Sequence, residues 1–180
     1  MMDSQPILEF WFVQCTPKMW FKKNRDFDAL IKDKFFDTIK FYMKTEIKEF
    51  FLSLETYLSS IIVLDQFTRN VFRNTDKAYQ GDTKAIQLSR IAIQNNFLKE
   101  EDYHKNSFLL MPLMHSENIQ DHELGLPYFQ EYTNSNTFKY ALKHKEIIER
   151  FGRFPHRNKV LGRNSTQSEL EFLKLPGSRF

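Results

Sequence analysis

The feature that most constrains this chain is its apolar spacing. From Phe27 to Tyr42, apolar side chains recur at three- and four-residue steps: Phe27, Leu30, Ile31, Phe35, Ile39 and Tyr42, with Thr38 on the same stripe. That spacing marks one face of an amphipathic helix. No stretch alternates with period two, so no strand is expected. The rest of the chain reads the same way. Ser4 stands where a first helix would be capped, with Pro6 in its first turn, and Pro17 ends that segment. A third helix covers about Leu54 to Phe72, and a fourth about Thr75 to Asn95. A fifth starts near Glu100 and meets Pro112, which is expected to kink or end it. A sixth lies between Asn118 and Tyr132 despite Gly125 and Pro127. A seventh spans Asn136 to Phe151 with Tyr140, Ala141, Ile147, Ile148 and Phe151 inward and Gly152 as its stop. Two short pieces follow, near His156 to Leu161 and Gln167 to Leu173, the second with a Thr166–Glu169 capping box. The expectation is an all-α array of antiparallel helical hairpins, about seven main helices and two short C-terminal ones.

Length and composition support one domain over 1–180, since domains usually run about 100–200 residues. Nineteen Phe, two Trp and seven Tyr imply a core built largely of packed rings. One cysteine, Cys15, excludes an internal disulfide and a multi-cysteine zinc site, and no local base activates it. The longest aliphatic run, Ile61 to Leu64, is far below the about 20 residues of a membrane helix. Glu9 interrupts an N-terminal stretch that lacks a basic n-region, so a cytoplasmic location is expected. Between Lys139 and Arg163 stand eight basic residues against two acidic ones. The remainder is net acidic, which favours a small anion over a long nucleic acid as the partner of that basic stretch.

Three clusters carry possible chemistry. On the third helix, Asp65, Gln66, Arg69, Asn70 and Arg73 form one polar stripe that also contains Ile62. It is either a solvated face with weak ion pairs or a pocket wall. His115, Ser116 and Glu117 are followed by Asp121, His122 and Glu123. They can supply an acid–base pair, ligate a metal or cap a helix, but their spacing matches no strong ligand motif, so no metal or other cofactor is assigned. Arg150, Arg153, His156, Arg157 and Asn158 surround a helix stop, where arginine forks bind carboxylate or phosphate or pair with carboxylates such as Asp65 or Glu117. His144, inward on the seventh helix, is expected to be a hydrogen-bonded core residue. No phosphate loop, dinucleotide fingerprint, nucleophile elbow or clean 34-residue repeat is present.

Motifs shared across nearly the whole chain carry a resemblance. They are Ile7 to Phe12, Leu64-Asp65-Gln66-Phe67 with Arg69-Asn70, and Pro112 with His115-Ser116-Glu117. The block from Arg150 to Asn158, Leu161-Gly162-Arg163 with Ser165-Thr166, and Pro176-Gly177-Ser178 near Phe180 complete the set. In this order the chain resembles a mainly bacterial family of unknown function. Departures are Val13 for a usual glycine, Thr68 for a usual proline and His122 for a usual glutamine. The resemblance implies an all-helical, tetratricopeptide-like superhelical arrangement and no assigned activity. It also implies that the three polar segments share a role. That role is either a pocket for a small anionic ligand or a structural network in a scaffold that binds a peptide or protein partner. For the pocket, His115, Glu117 and His156 are the candidate proton-transfer groups. Asp65, Arg69, Asn70, Arg73, Arg150, Arg153, Arg157 and Asn158 are the candidate ligand-binding ones.

Overall fold

The computed structural model describes residues 3–47, 53–99 and 101–179. Every regular element among them is helical. Helix α1 (Gln5–Glu9) runs into a wider π-helical turn, Phe10–Gln14, and α2 (Pro17–Phe21) and α3 (Arg25–Lys44) follow. Helix α4 (Leu54–Ile61) continues through a second π-helical turn, Ile62–Phe67, into α5 (Thr68–Val71). A 3-10 turn, Asp76–Tyr79, precedes α6 (Asp82–Gln94), and then come α7 (Tyr103–His115), α8 (Ile119–Tyr132) and α9 (Ser135–Phe151). The 3-10 turn Pro155–Arg157 and α10 (Gln167–Phe172) complete the chain.

Consecutive helices α6, α7, α8 and α9 each pack on the next. Connections as short as Ser116–Asn118 and Thr133–Asn134 leave antiparallel packing as the available geometry. This agrees with a hairpin array and is compatible with a tetratricopeptide-like arrangement. Caps hold the hairpin ends. Asn134 Oδ1 accepts from the backbone N–H of Asn136 and Thr137 at 3.0 and 2.9 Å, and Thr166 and Glu169 form the expected capping box. Gly152 closes α9 with φ of 66°, a left-handed conformation that glycine adopts without a Cβ clash.

Several local expectations differ from what forms. Ser4 precedes α1, but Asp3 Oδ1, not Ser4, accepts from Gln5 N–H at 3.0 Å. The short helix α2 is additional. The fourth helix is broken at Gln80-Gly81. The fifth begins at Tyr103, capped by Asp102, and the expected start at Glu100 lies outside the described residues, as does Phe180. Pro112 does not end α7, which runs on to His115; the missing N–H costs the Phe108 carbonyl its helical partner. Leu30 and Tyr140 were expected inside, but are 40% and 45% exposed, being on the edges of their stripes.

The core is aromatic, as the composition requires. Trp11, fully buried, meets the rings of Trp20, Phe27, Phe67 and Phe108 at centroid distances of 6.1, 6.2, 5.4 and 5.5 Å. Phe10 packs on Phe35 and Phe67 at 5.1 and 6.1 Å, so the two π-helical turns touch through Phe10, Trp11 and Phe67. A smaller cluster of Ile147, Ile148 and Phe154, with Ile119, Phe151 and Phe172 against it, binds the C-terminal segment to α8 and α9.

Gly81 fixes the register between α6 and the second π turn. A methyl group on its Cα would stand 2.2 Å from the Leu64 carbonyl oxygen, a backbone atom with no freedom to retreat. Gly81 also directly precedes Asp82 at the start of α6. Gly81→Ala is expected to destabilise the fold by about 1–3 kcal/mol, or roughly 2–12 °C in melting midpoint. An unchanged midpoint in thermal denaturation would contradict this close approach.

Candidate functional site

The second π-helical turn carries the polar stripe inward. Asp65 is 1% exposed and Gln66 and Asn70 are buried, so the solvated-face alternative does not apply to them. An unpaired carboxylate at that depth would be prohibitively costly, and Asp65 is densely partnered. His115 Nδ1, on the last turn of α7, lies 2.8 Å from Asp65 Oδ1, and Arg69 Nη1 lies 2.9 Å from the same oxygen. Gln66 Nε2 donates to Oδ2. Burial opposes charge on Asp65, but Arg69 and His115 outweigh it and hold the carboxyl below its usual range. A carboxylate only accepts, so the hydrogen on His115 sits on Nδ1. Nε2 is then the unprotonated nitrogen. It has no hydrogen-bond partner among the described residues, and the His115 side chain is 16% exposed. Burial lowers the His115 pKa, with Arg69 and Arg157 adding to that effect and Asp65 opposing it.

Arg69 joins this dyad to α6. Its Nη1 and Nη2 donate to Asp82 Oδ1 and Oδ2 at 2.9 and 3.0 Å, a bidentate pair. Arg157 approaches from the C-terminal segment. Its Nη2 donates to the His115 carbonyl at 2.9 Å, and its Nη1 lies 3.4 Å from Asp82 Oδ2. The guanidinium lies over the rings of Tyr79 and Phe154, its central carbon 4.7 and 4.5 Å from their centroids. Arg157 is only 6% exposed, and its Nε has no hydrogen-bond partner among the described residues. Thus Asp65, Arg69, His115 and Arg157, distant in sequence, meet in one cluster with Asp82 and Tyr79.

The remaining candidates fall into separate latches. Asn70 and Arg73 both reach Asp28 of α3: Asn70 Nδ2 donates at 2.8 Å and Arg73 Nε at 2.7 Å. Glu117 does not share the His115 ring. Its carboxylate accepts from Arg163 Nη1 at 2.6 Å and from the Phe154 N–H at 2.8 Å, and although burial works the other way these donors keep its pKa low. Arg153 forks onto Glu169 at 2.7 and 2.8 Å, which brings the Glu169 carboxyl down to about 2. Asn158 bridges Ser165 and Arg163 at 3.1 and 3.0 Å. Arg150 lies over the rings of Phe151 and Phe172 at 4.7 and 5.9 Å. The His156 ring lies tilted against Phe154, and burial with Arg157 and Lys23 nearby takes its pKa to about 3, so its ring is neutral near pH 7. His122 is buried and bonds through Nε2 to the Ser116 carbonyl at 2.8 Å, while Asp121 accepts from Ser116 and Arg90. His144 bonds the Tyr140 carbonyl at 2.7 Å, in the manner of a core histidine.

Among the described residues, no group of three or more His, Cys, Asp or Glu side chains stands where it could hold a metal ion. No described helix is long and apolar enough to cross a membrane. Surface depressions lined by Lys18, Lys22 and Phe27, and by Glu9, Gln14 and Lys34, lie outside the polar cluster. Sequence reading missed Asp28, Tyr79, Asp82 and Glu169. Asp28, Asp82 and Glu169 sit in helix first turns, where an acid also serves the helix dipole, so nothing local marked them as partners of arginines.

Four histidines in this region, His115, His122, His144 and His156, have pKa values lowered chiefly by burial. Unfolding releases each toward about 6.5, so below that pH the unfolded chain binds protons that the folded chain refuses. Stability is therefore complete above about pH 6.5 and falls as pH drops, by up to about 1.4 kcal/mol per pH unit for each histidine. Denaturant titrations from neutral to mildly acid pH should show this slope, reduced in His156→Gln. A flat profile would contradict the neutral, buried assignment.

The comparisons with known proteins agree with the fold. A family described as "Bacterial protein of unknown function (DUF924)" matches residues 7–177. A solved structure titled "Structure of Protein of Unknown Function ATU0120 from Agrobacterium tumefaciens" is 31% identical, with a TM-score of 0.86, covering 95% of this chain and 96% of that one. No curated protein matches the chain. The chain belongs to the bacterial family of unknown function DUF924.

Proposed function

We propose that the cluster of Asp65, Arg69, Asp82, His115 and Arg157 binds a small anionic ligand, bearing phosphate or carboxylate, and transfers a proton through His115. The observation that carries this reading is the Asp65–His115 dyad. A buried carboxylate fixes the imidazole with its hydrogen on Nδ1 and leaves the Nε2 lone pair without a hydrogen-bond partner among the described residues, on a side chain 16% exposed. That is the orientation a general base requires, and the lowered pKa keeps the ring unprotonated near neutrality. Arg69 and Arg157 supply the positive charge that draws an anion to the cluster, and Arg69 braces Asp65 and Asp82. The ligand meets this cluster at its exposed edge, where the Arg69, Asp82 and His115 side chains are 20%, 15% and 16% exposed. The reaction class is hydrolase or transferase: His115 takes the proton of water or of an acceptor hydroxyl as its oxygen attacks the ester carbon or phosphorus, the ester C–O or P–O bond breaks, and the imidazolium returns that proton to the departing alcohol oxygen. Asp65 replaces Glu117 as the partner of His115 in this scheme.

A second reading has its own support. Arg73, Arg153 and Arg163 are each occupied by a carboxylate, as expected of a network that holds helices in register within a noncatalytic scaffold. Turnover separates the two. Purified protein assayed against carboxylic and phosphate esters should show a hydrolysis that falls by about 100-fold or more in His115→Gln, without a matching loss of melting midpoint. Equal activity in His115→Gln, or none in either protein, would remove the catalytic reading and favour the scaffold.

A further inference from the structure

From Phe10 to Arg25 the chain carries four basic residues, Lys18, Lys22, Lys23 and Arg25, and no acidic one. All four are exposed. Arg69, Arg73, Arg153, Arg157 and Arg163 each reach a carboxylate, whereas none of these four forms an ion pair among the described residues. Apolar surface stands beside them. Phe21, just before Lys22, is 67% exposed, and Val13 is 76% exposed. Phe21 and the half-buried Phe12 rest on the same two rings. Trp20 lies 6.2 and 5.9 Å from them, and Phe108 6.4 and 5.7 Å. Beside Lys18 and Lys22 the surface dips into a depression of about 220 Å³, lined also by Met19, Phe27, Thr16 and Asn24.

We infer that this surface docks a short acidic segment of a partner protein, one that carries an apolar residue among its carboxylates. Charge complementarity selects the acids. Unpaired lysines attract carboxylates, and each exposed pair adds up to about fivefold in affinity. The exposed Phe21 ring and the depression select the apolar residue. At about 220 Å³ the depression falls below the roughly 300–1,000 Å³ of small-molecule sites, which suits a single side chain. The extent of the surface selects a short segment. Exposed Glu9 and Asp26 bound the basic stretch, so a flat anionic membrane or a long nucleic acid would press against them as well. This surface lies outside the His115 cluster, and the inference stands apart from the reading of that cluster.

The test is backbone amide NMR of the intact protein at low ionic strength. The probes are three end-blocked peptides: Glu-Glu-Phe-Glu-Glu, Glu-Glu-Ser-Glu-Glu and Lys-Lys-Phe-Lys-Lys. The first is expected to shift the amides of Lys18, Phe21 and Lys22 at millimolar concentration or below. The second should bind several-fold more weakly, and the third not at all. Lys18→Glu combined with Lys22→Glu should weaken the first peptide about tenfold or more. Phe21→Ser should remove its advantage over the second. These side chains are exposed, so the fold is expected to survive, and unchanged amide signals elsewhere check that. Binding of the serine or the lysine peptide as tight as the first would overturn the inference. An acidic-peptide affinity that ignores the lysine substitutions, or no shift with any peptide, would overturn it equally. A response of the same amides to phosphatidylglycerol vesicles or oligouridylate, with none to the acidic peptides, would give the surface to a membrane or a nucleic acid instead.

Discussion

The arrangement of this protein depends on one buried charge. Asp65 lies in the core side of a π-helical turn, 1% exposed, and cannot remain ionised there without donors. Those donors come from Arg69 one turn on, from Gln66 beside it and from His115 at the end of α7. Arg69 then requires Asp82, which Gly81 delivers by packing its bare Cα against Leu64. Arg157 closes the set by donating to the backbone of His115. Each pair satisfies a group the previous one leaves in need, so segments from four parts of the chain are drawn to one point. Such networks contribute more to a unique register than to net stability, because desolvation offsets most of the Coulomb gain.

Stability itself comes from the aromatic core. The wider turns at Phe10–Gln14 and Ile62–Phe67 touch through Phe10, Trp11 and Phe67. A π-helical turn shifts the residues after it around the helix axis relative to an α-helix. Here the second such turn puts Phe67 into the ring cluster while Asp65 faces His115. The apolar packing and the polar cluster are thus two faces of one local distortion. The latches at Asp28, Glu117 and Glu169 then fasten α3, α8 and the C-terminal segment around this centre.

Much of the fold was legible because amphipathic periodicity and caps act locally. Asn134, the Thr166–Glu169 box and Gly152 all perform the roles their types suggest. What escaped was set by contacts far along the chain. Pro112 stays inside α7 because buried neighbours from Asn106 to Met114 hold the helix together where propensity alone would end it. The fourth helix breaks at Gly81, where Leu64, far back along the chain, leaves no room for a side chain. The polar site was legible only in part. Arg69, His115 and Arg157 were visible as unusual residues at unusual places. Their sharing of a site with Asp65 was suggested by family resemblance and is a contact no spacing encodes. Asp82, the carboxylate that links Arg69 with Arg157, resembled an ordinary helix N-terminal acid. Glu117 was paired with His115 on sequence proximity, but two residues past the end of α7 its side chain reaches Arg163 and the Phe154 N–H.

The central claim is that Asp65 presets His115 as a neutral imidazole with a free Nε2. Long-range nitrogen–proton NMR correlations of the His115 ring at neutral pH test it directly, because the two nitrogen shifts report tautomer and charge together. The account predicts a protonated, hydrogen-bonded Nδ1 and an unprotonated Nε2. A ring protonated on both nitrogens, or one with its hydrogen on Nε2, would contradict it.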